Sequence, residues 1–229
     1  MSGDSQFLTL LQLADSALPT GGYAFSNGLE SAARHGLFRT SDDLYRYCDT
    51  AIRQYCSSEL PFVRSAHAVG MDGCAQETYL ELMREQDAFL TIPETRHASL
   101  TQGRNCMRLY PSLFAEVDFG LLRETARTES CGYHMNGVLG AGLALAGLSA
   151  DDVDQLACFL LLRDQVSSAI RLSVVGPTDA TRLQSRLQEK VGQYIAEAPP
   201  VARDAYRSAP LLDVIQGTHS RLYTNLFQS

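Results

Sequence analysis

Apolar positions along this chain recur at three- and four-residue steps, the period of a helix with one buried face. Leu44, Tyr47, Cys48, Ala51, Ile52 and Tyr55 make one such stripe, and Leu183, Leu187, Val191, Tyr194 and Ile195 make another. Alternating patterns that would predict strands are hard to find. Residues 156–162, Leu-Ala-Cys-Phe-Leu-Leu-Leu, are apolar around the whole circumference, which predicts a central helix enclosed by others. The helix before it carries Gly132, Gly137, Gly140, Gly142 and Gly147 with several alanines between them. An interior glycine weakens a helix by roughly 1 kcal/mol relative to Ala, so this thin-walled segment implies a neighbour packed very close. The pattern predicts an all-α fold, a single-domain bundle of about nine or ten helices around a central apolar helix.

Local signals agree with the periodicity. Asn27-x-x-Glu30 and Ser149-x-x-Asp152 have the spacing of an N-cap side chain with an acid in the first turn, and Gly36 and Gly70 stand where helices should end. With 229 residues, 45% hydrophobic, 20% charged and a net charge of −7, the chain can bury a sizeable core and reads as one ordinary globular domain over 1–229. The acidic balance argues against a nucleic-acid partner, since phosphate binding relies on clustered cations. Cys48, Cys56, Cys74, Cys106, Cys131 and Cys158 lack paired spacing and read as reduced core residues. Residues 1–5 show no secretory signal, and the longest apolar run, Val138 to Leu148, is far short of the roughly 20 residues that span a bilayer. The expected compartment is the cytoplasm.

The search for chemistry is mostly negative. Lys190, the only lysine, has no P-loop context, so hydrolysis of GTP or ATP by this chain alone is not expected. Ser26 near Gly28 does not make a nucleophile elbow, because the preceding strand is missing, and it reads as a cap or turn residue. Cys131-x-x-His134 and the lone His35, His67, His97 and His219 offer no paired metal-ligand spacing and read as core or surface residues.

One segment is built too specifically for an ordinary turn. Between two helices lies Ala17-Leu18-Pro19-Thr20-Gly21-Gly22-Tyr23-Ala24-Phe25, an elbow in which Pro19 fixes φ, Gly21 and Gly22 permit positive φ, and two aromatics are included. The 209–229 tail carries few charges but has Leu211, Leu212, Val214, Ile215, Leu222, Tyr223, Leu226 and Phe227, so it needs a surface to bury against, its own bundle or a partner. Arg96, Arg104 and Arg171 lie in small or apolar helical contexts. Each either pairs with a carboxylate such as Glu94 or Asp164, or anchors an interface, or reaches a bound GTPase as an arginine finger.

The elbow and its flanks, Leu10-Leu11-Gln12-Leu13 through Gly28-Leu29-Glu30, closely resemble the N-terminal signature of the UreF family of urease accessory proteins. Three further segments are similar to that family in order: Glu94 to Arg104, Ser168 to Gly176, and the tail from His219 to the Leu226-Phe227-Gln228-Ser229 ending. Two places depart from it, Pro177-Thr178-Asp179-Ala180 after Gly176 and Ser220 after the tail histidine. The resemblance implies an all-helical, non-enzymatic maturation factor. Such a factor forms a homodimer, binds UreD/UreH, recruits the GTPase UreG, and delivers nickel to apo-urease on GTP hydrolysis. It implies no stably bound cofactor, with nickel and GTP handled by the partners, and no membrane. By resemblance, partner binding falls to Pro19, Gly21, Gly22, Tyr23, Phe25, Ser26 and Glu30, to Arg96, Ser99, Arg104 and Arg171, and to His219, Arg221, Leu222, Leu226 and Phe227. Two alternatives compete: a small helical enzyme with a site under the elbow and His134 or His35 as base, and a helical adaptor for a different GTPase or metalloenzyme.

Overall fold

The computed structural model describes residues 3–223 and 225–228; Met1 and Ser2, and Thr224 and Ser229 of the tail, lie outside the described residues. The α-helices are α1 (Gly3–Ala14), α2 (Leu29–Arg34), α3 (Ser41–Ser58), α4 (Leu60–Met71), α5 (Gln76–Phe89), α6 (Pro93–Leu113) and α7 (Gly120–Thr128). They continue with α8 (Met135–Leu145), α9 (Ala150–Arg171), α10 (Pro177–Glu197) and α11 (Pro210–Gly217). Short 3₁₀ turns occupy Gly22–Ala24, Ser130–Tyr133, Ala202–Asp204 and His219–Arg221. Among the described residues there is no strand, and all helices but the six-residue α2 have eight residues or more, so the all-α expectation holds. None of these helices is long and apolar enough to cross a membrane.

Helix starts follow local chemistry. Thr40 and Asp43 form a reciprocal capping box on α3, Ser149 Oγ accepts from the Asp152 amide on α9, and prolines open α6, α10 and α11 where a missing N–H costs nothing. Two expected caps are corrected. Asn27, φ +52°, does not cap α2: the N-cap position is Gly28, which offers no side chain, and the Glu30 amide is met from further back by Ser26 Oγ at 3.3 Å. Helix α4 ends one residue past Gly70, at Met71, but Gly70 is not its stop: it packs in the last turn, where a Cβ would come 2.7 Å from the Ala141 carbonyl oxygen, and the chain turns at Gly73, φ +85°.

The core is built around α8. Every residue from Asn136 to Ala144 is buried, and α4 and α8 share the most extensive helix contact. Gly140 is pressed against Val63 and Ala66 of α4, Gly137 against Met83 of α5, and Gly142 against the Tyr110 ring of α6. The thin wall of Gly137, Gly140 and Gly142 thus admits three neighbours at close range, as the glycine pattern implied; Gly132 and Gly147 are corrected, the first lying in the Ser130–Tyr133 turn and the second, φ +83°, past the helix end. Helix α9 lies alongside, with Leu156, Ala157, Cys158 and Leu162 buried. Phe159, Leu160 and Leu161 of the 156–162 run are only half-buried: Leu160 and Leu161 line a cavity of about 110 Å³, and Phe159 lines a surface groove against α1 and α10. All six cysteines are free and buried.

Candidate functional site

The elbow is clamped between two helices. Arg163 of α9 donates to the carbonyls of Ala14 (3.0 Å) and Asp15 (3.2 Å), satisfying acceptors that the end of α1 leaves open. Asn105 of α6 donates to the Thr20 carbonyl at 3.2 Å. Gly21 has φ +89°, and Gly22 packs so tightly on the Asp164 carboxylate that a Cβ there would overlap it. Burial pushes the Asp164 carboxyl above its ordinary value, against the pull of Arg163. The paired aromatics divide their work: Phe25 is buried edge-on to His97, whereas Tyr23 is 59% exposed.

The tail returns to this elbow. Helix α11 lays Leu212 and Ile215 inward and leaves Leu211 and Val214 exposed. Beyond it, the fully buried Glu30 carboxylate accepts three hydrogen bonds from the tail: from His219 Nε2 at 3.0 Å, the Leu226 amide at 2.7 Å and the Phe227 amide at 3.1 Å. The Gln228 amide donates to the Ala24 carbonyl at 2.8 Å. Arg171, at the end of α9, is sandwiched between rings from both segments, its Cζ 3.6 Å from the Tyr23 centroid and 4.0 Å from that of Phe227. Its Nη2 also donates to the Tyr23 carbonyl at 2.6 Å. A buried anion and a stacked cation therefore join elbow, α2, α9 and tail into one surface, with Tyr23, Tyr223 and Leu226 left exposed.

Arg96 and Ser99 belong to a different place. Arg96 donates to Asp87 from Nε (2.7 Å) and Nη2 (3.2 Å), and His134 Nε2 shares the same carboxylate at 2.9 Å. His134 Nδ1 meets Ser99 Oγ at 3.1 Å, and that oxygen accepts from the Met135 amide. The chain Ser99, His134, Asp87 has the residue types of a hydrolytic triad but serves the fold, since Ser99 caps the start of α8 and His134 is fully buried. Burial lowers the His134 pKa, against the hydrogen bond to Asp87. Burial works to raise the Asp87 carboxyl, but the hydrogen bonds from Arg96 and His134 outweigh it and hold the group below its ordinary value.

The family model for UreF matches residues 38–188, well over half of the chain. The chain belongs to the UreF family. It is 34% identical over 222 residues to urease accessory protein F of Arabidopsis thaliana, covering 95% of this chain and 90% of that relative. It is 31% identical to urease accessory protein F of Oryza sativa subsp. japonica, covering 94% and 82%. It is 30% identical to urease accessory protein UreF of Mycobacterium marinum, covering 96% and 97%. UreF proteins are non-catalytic urease accessory proteins, so this chain acts in urease maturation rather than as an enzyme.

The structure of this UreF chain sorts the residues singled out in the sequence. Tyr23, Glu30, Arg171, His219, Leu226 and Phe227 meet at the junction, and Gly21, Gly22, Phe25 and Ser26 give the elbow its shape. Pro19 lines a surface pocket beside them, Arg221 is exposed and Leu222 half-buried on the turn leading to the docked residues. Arg96, Ser99 and Arg104, whose guanidinium lies 5.6 Å over the Tyr133 ring, sit apart. The carboxylate partners differ from those expected: Arg96 takes Asp87 rather than Glu94, and Asp164 takes Arg163. Neither histidine of the enzyme alternative lies under the elbow, since His134 is bound to Asp87 and Ser99, and His35 faces Thr218 at the end of α11. Among the described residues no group of three or more His, Cys, Asp or Glu could hold a metal ion, and Cys131 faces Glu129. Asp87 carries no signal in the sequence, being one acid among 26 with no motif around it.

Proposed function

We propose that this chain is a non-enzymatic scaffold that bridges UreD/UreH and the GTPase UreG, so that nickel enters apo-urease when UreG hydrolyses GTP. It acts as a homodimer in the cytoplasm, and nickel and GTP are bound by its partners. The 209–229 tail and the elbow form the docking surface on one folded domain, with Arg96, Ser99 and Arg104 supplying a second patch. The observation that carries this reading is the junction itself, where Arg171 holds Tyr23 and Glu30 holds the Leu226 and Phe227 amides, with Tyr23 and Leu226 exposed. Rigid aromatics beside a stacked Arg are the composition that dominates binding energy at protein interfaces, because their ordering cost is met before the partner arrives.

Size-exclusion chromatography with light scattering, on the chain co-expressed with its host's UreD and UreG homologues, tests the reading. A complex formed by the full chain and lost in one ending at Gln216 supports the tail and elbow as the docking surface. A folded full chain that binds neither protein overturns it. An arginine finger at Arg104 or Arg171 is tested separately by GTP turnover per assembled complex: turnover unchanged by both Arg104→Ala and Arg171→Ala would exclude it.

A further inference from the structure

Cys56 of α3 and Cys158 of α9 are 102 positions apart, yet their Sγ atoms lie 3.6 Å from each other. Other thiols have different company: Cys106 faces Met135 and Cys131 faces Glu129. Cys56 also lines a surface pocket of about 300 Å³, covered by the extended strap 205–209. That strap is held by the Tyr206 amide on the Ser57 carbonyl (2.9 Å), the Ala209 amide on Gln54 (2.6 Å) and the Arg207 guanidinium on Asp213. Arg53 stands in the same pocket and supplies a cation for an anionic ligand.

We propose that Cys56 and Cys158 form a reversible dithiol–disulfide pair, oxidised by a low-molecular-weight disulfide of the glutathione class that reaches Cys56 through this pocket. The Cys56 thiolate attacks one sulfur of the small disulfide; that S–S bond breaks, and one thiolate leaves and takes up a proton. The Cys158 thiolate then attacks Cys56 Sγ in the mixed disulfide and expels the second small thiol. Two protein thiols are oxidised and one small disulfide is reduced to two thiols, with the two protons passing to the leaving groups. Both thiols are buried, but Cys56 lines the pocket and Cys158 does not, so Cys56 reacts first. In the reduced pair the hydrogen bond to Cys56, and then burial, hold the Cys158 thiol well above its ordinary value. The product ties α3 to α9 across the core and constrains the unfolded chain through a long loop.

The test is to incubate the reduced full chain with glutathione disulfide under native conditions and map its disulfides by non-reducing proteolysis and mass spectrometry. The expected result is a Cys56–Cys158 peptide as the dominant linkage, lost on adding dithiothreitol, with a higher melting temperature for the oxidised form. Cys158→Ser should instead accumulate a glutathione adduct on Cys56, and Cys56→Ser should carry no adduct on Cys158. A wild-type chain that stays folded by circular dichroism yet gives no such linkage, or links other cysteines preferentially, overturns the proposal. The mapping of the wild-type chain decides the question even if a variant fails to fold.

Discussion

The contact between α4 and α8 and the junction between elbow and tail are both tightly packed, yet they are held by opposite means. The first is made of small residues: Gly70 and Gly140 let two backbones approach until Val63, Ala66 and Ala141 fill the gap, and no charge takes part. Its stability comes from dispersion and from water excluded over the whole face. The second rests on one carboxylate and one guanidinium. Glu30 gathers three donors and Arg171 stacks two rings. Shape complementarity spread over a helix face is lost only when the whole face separates. Directed bonds converging on two side chains can be lost locally, which suits a surface that must meet other proteins.

Gly140→Val should have the largest effect. The new side chain would overlap the Val63 carbonyl, a backbone atom that cannot rotate away, so overpacking costs about 3 kcal/mol and lowers the melting temperature by about 10 °C. A melting curve unchanged by this substitution would mean that close packing at Gly140 does not hold the core. Glu30→Gln comes next, with a cost of about 2 kcal/mol, because hydrogen bonds to a charged group are the stronger kind. Hydrogen exchange should show the 225–228 amides losing protection while α8 keeps its own. If α8 loosened with the tail, the two regions would form one cooperative unit and the comparison would fail.

Arg171→Lys keeps the charge but removes the planar group between Tyr23 and Phe227, for a loss of about 1 kcal/mol at the junction, read from the same tail amides. Full protection in that variant would mean that charge, not stacking, holds the tail. Acidification should act on the Asp87 cluster instead. His134 has a folded pKa below its ordinary value of 6.5, so the unfolded chain binds the proton more readily. Stability is complete above that value and falls as pH drops from about 6.5 through the folded pKa. Asp87, lowered from 3.8, adds stability that is lost only at still lower pH. The melting temperature should therefore decline between neutral pH and about pH 5 in the native chain and decline less in His134→Gln. The smallest effect on stability is expected from Tyr223→Ala, within about 0.5 kcal/mol, since the side chain is fully exposed. That substitution should weaken the co-purified complex nonetheless.

Much of the fold is legible in the sequence because helical periodicity is written within a few residues. The stripes beginning at Leu44 and Leu183 put Leu44, Ile52, Leu183 and Leu187 in the core, and the glycines of α8 meet close neighbours as their pattern required. Gly70 misleads because a glycine near the end of an apolar run gives the same local signal whether it stops a helix or admits another one. Asn27 misleads for a related reason: its type suits a cap, but the N-cap position falls on Gly28 and Ser26 meets the Glu30 amide instead. Within the site, the elbow is recognisable from Pro19, Gly21 and Gly22, and Arg171 and His219 from their resemblance to family segments. Their meeting on the two sides of Phe227 and Glu30 is not.

The sequence by itself determined the helices, the stripe of small residues that lets α8 sit at the centre, the unusual elbow, and membership of the UreF family. Each depends on residues a turn or two apart, or on motifs read in order along the chain. Tertiary structure alone decided that the acid of an apparent helix cap anchors the tail, that Arg96 finds Asp87, and that Cys56 lies against Cys158. Partners so far apart in sequence are chosen by the path of the whole chain. With 26 acids available to 19 bases, charge alone leaves the pairing open until packing brings two side chains within reach.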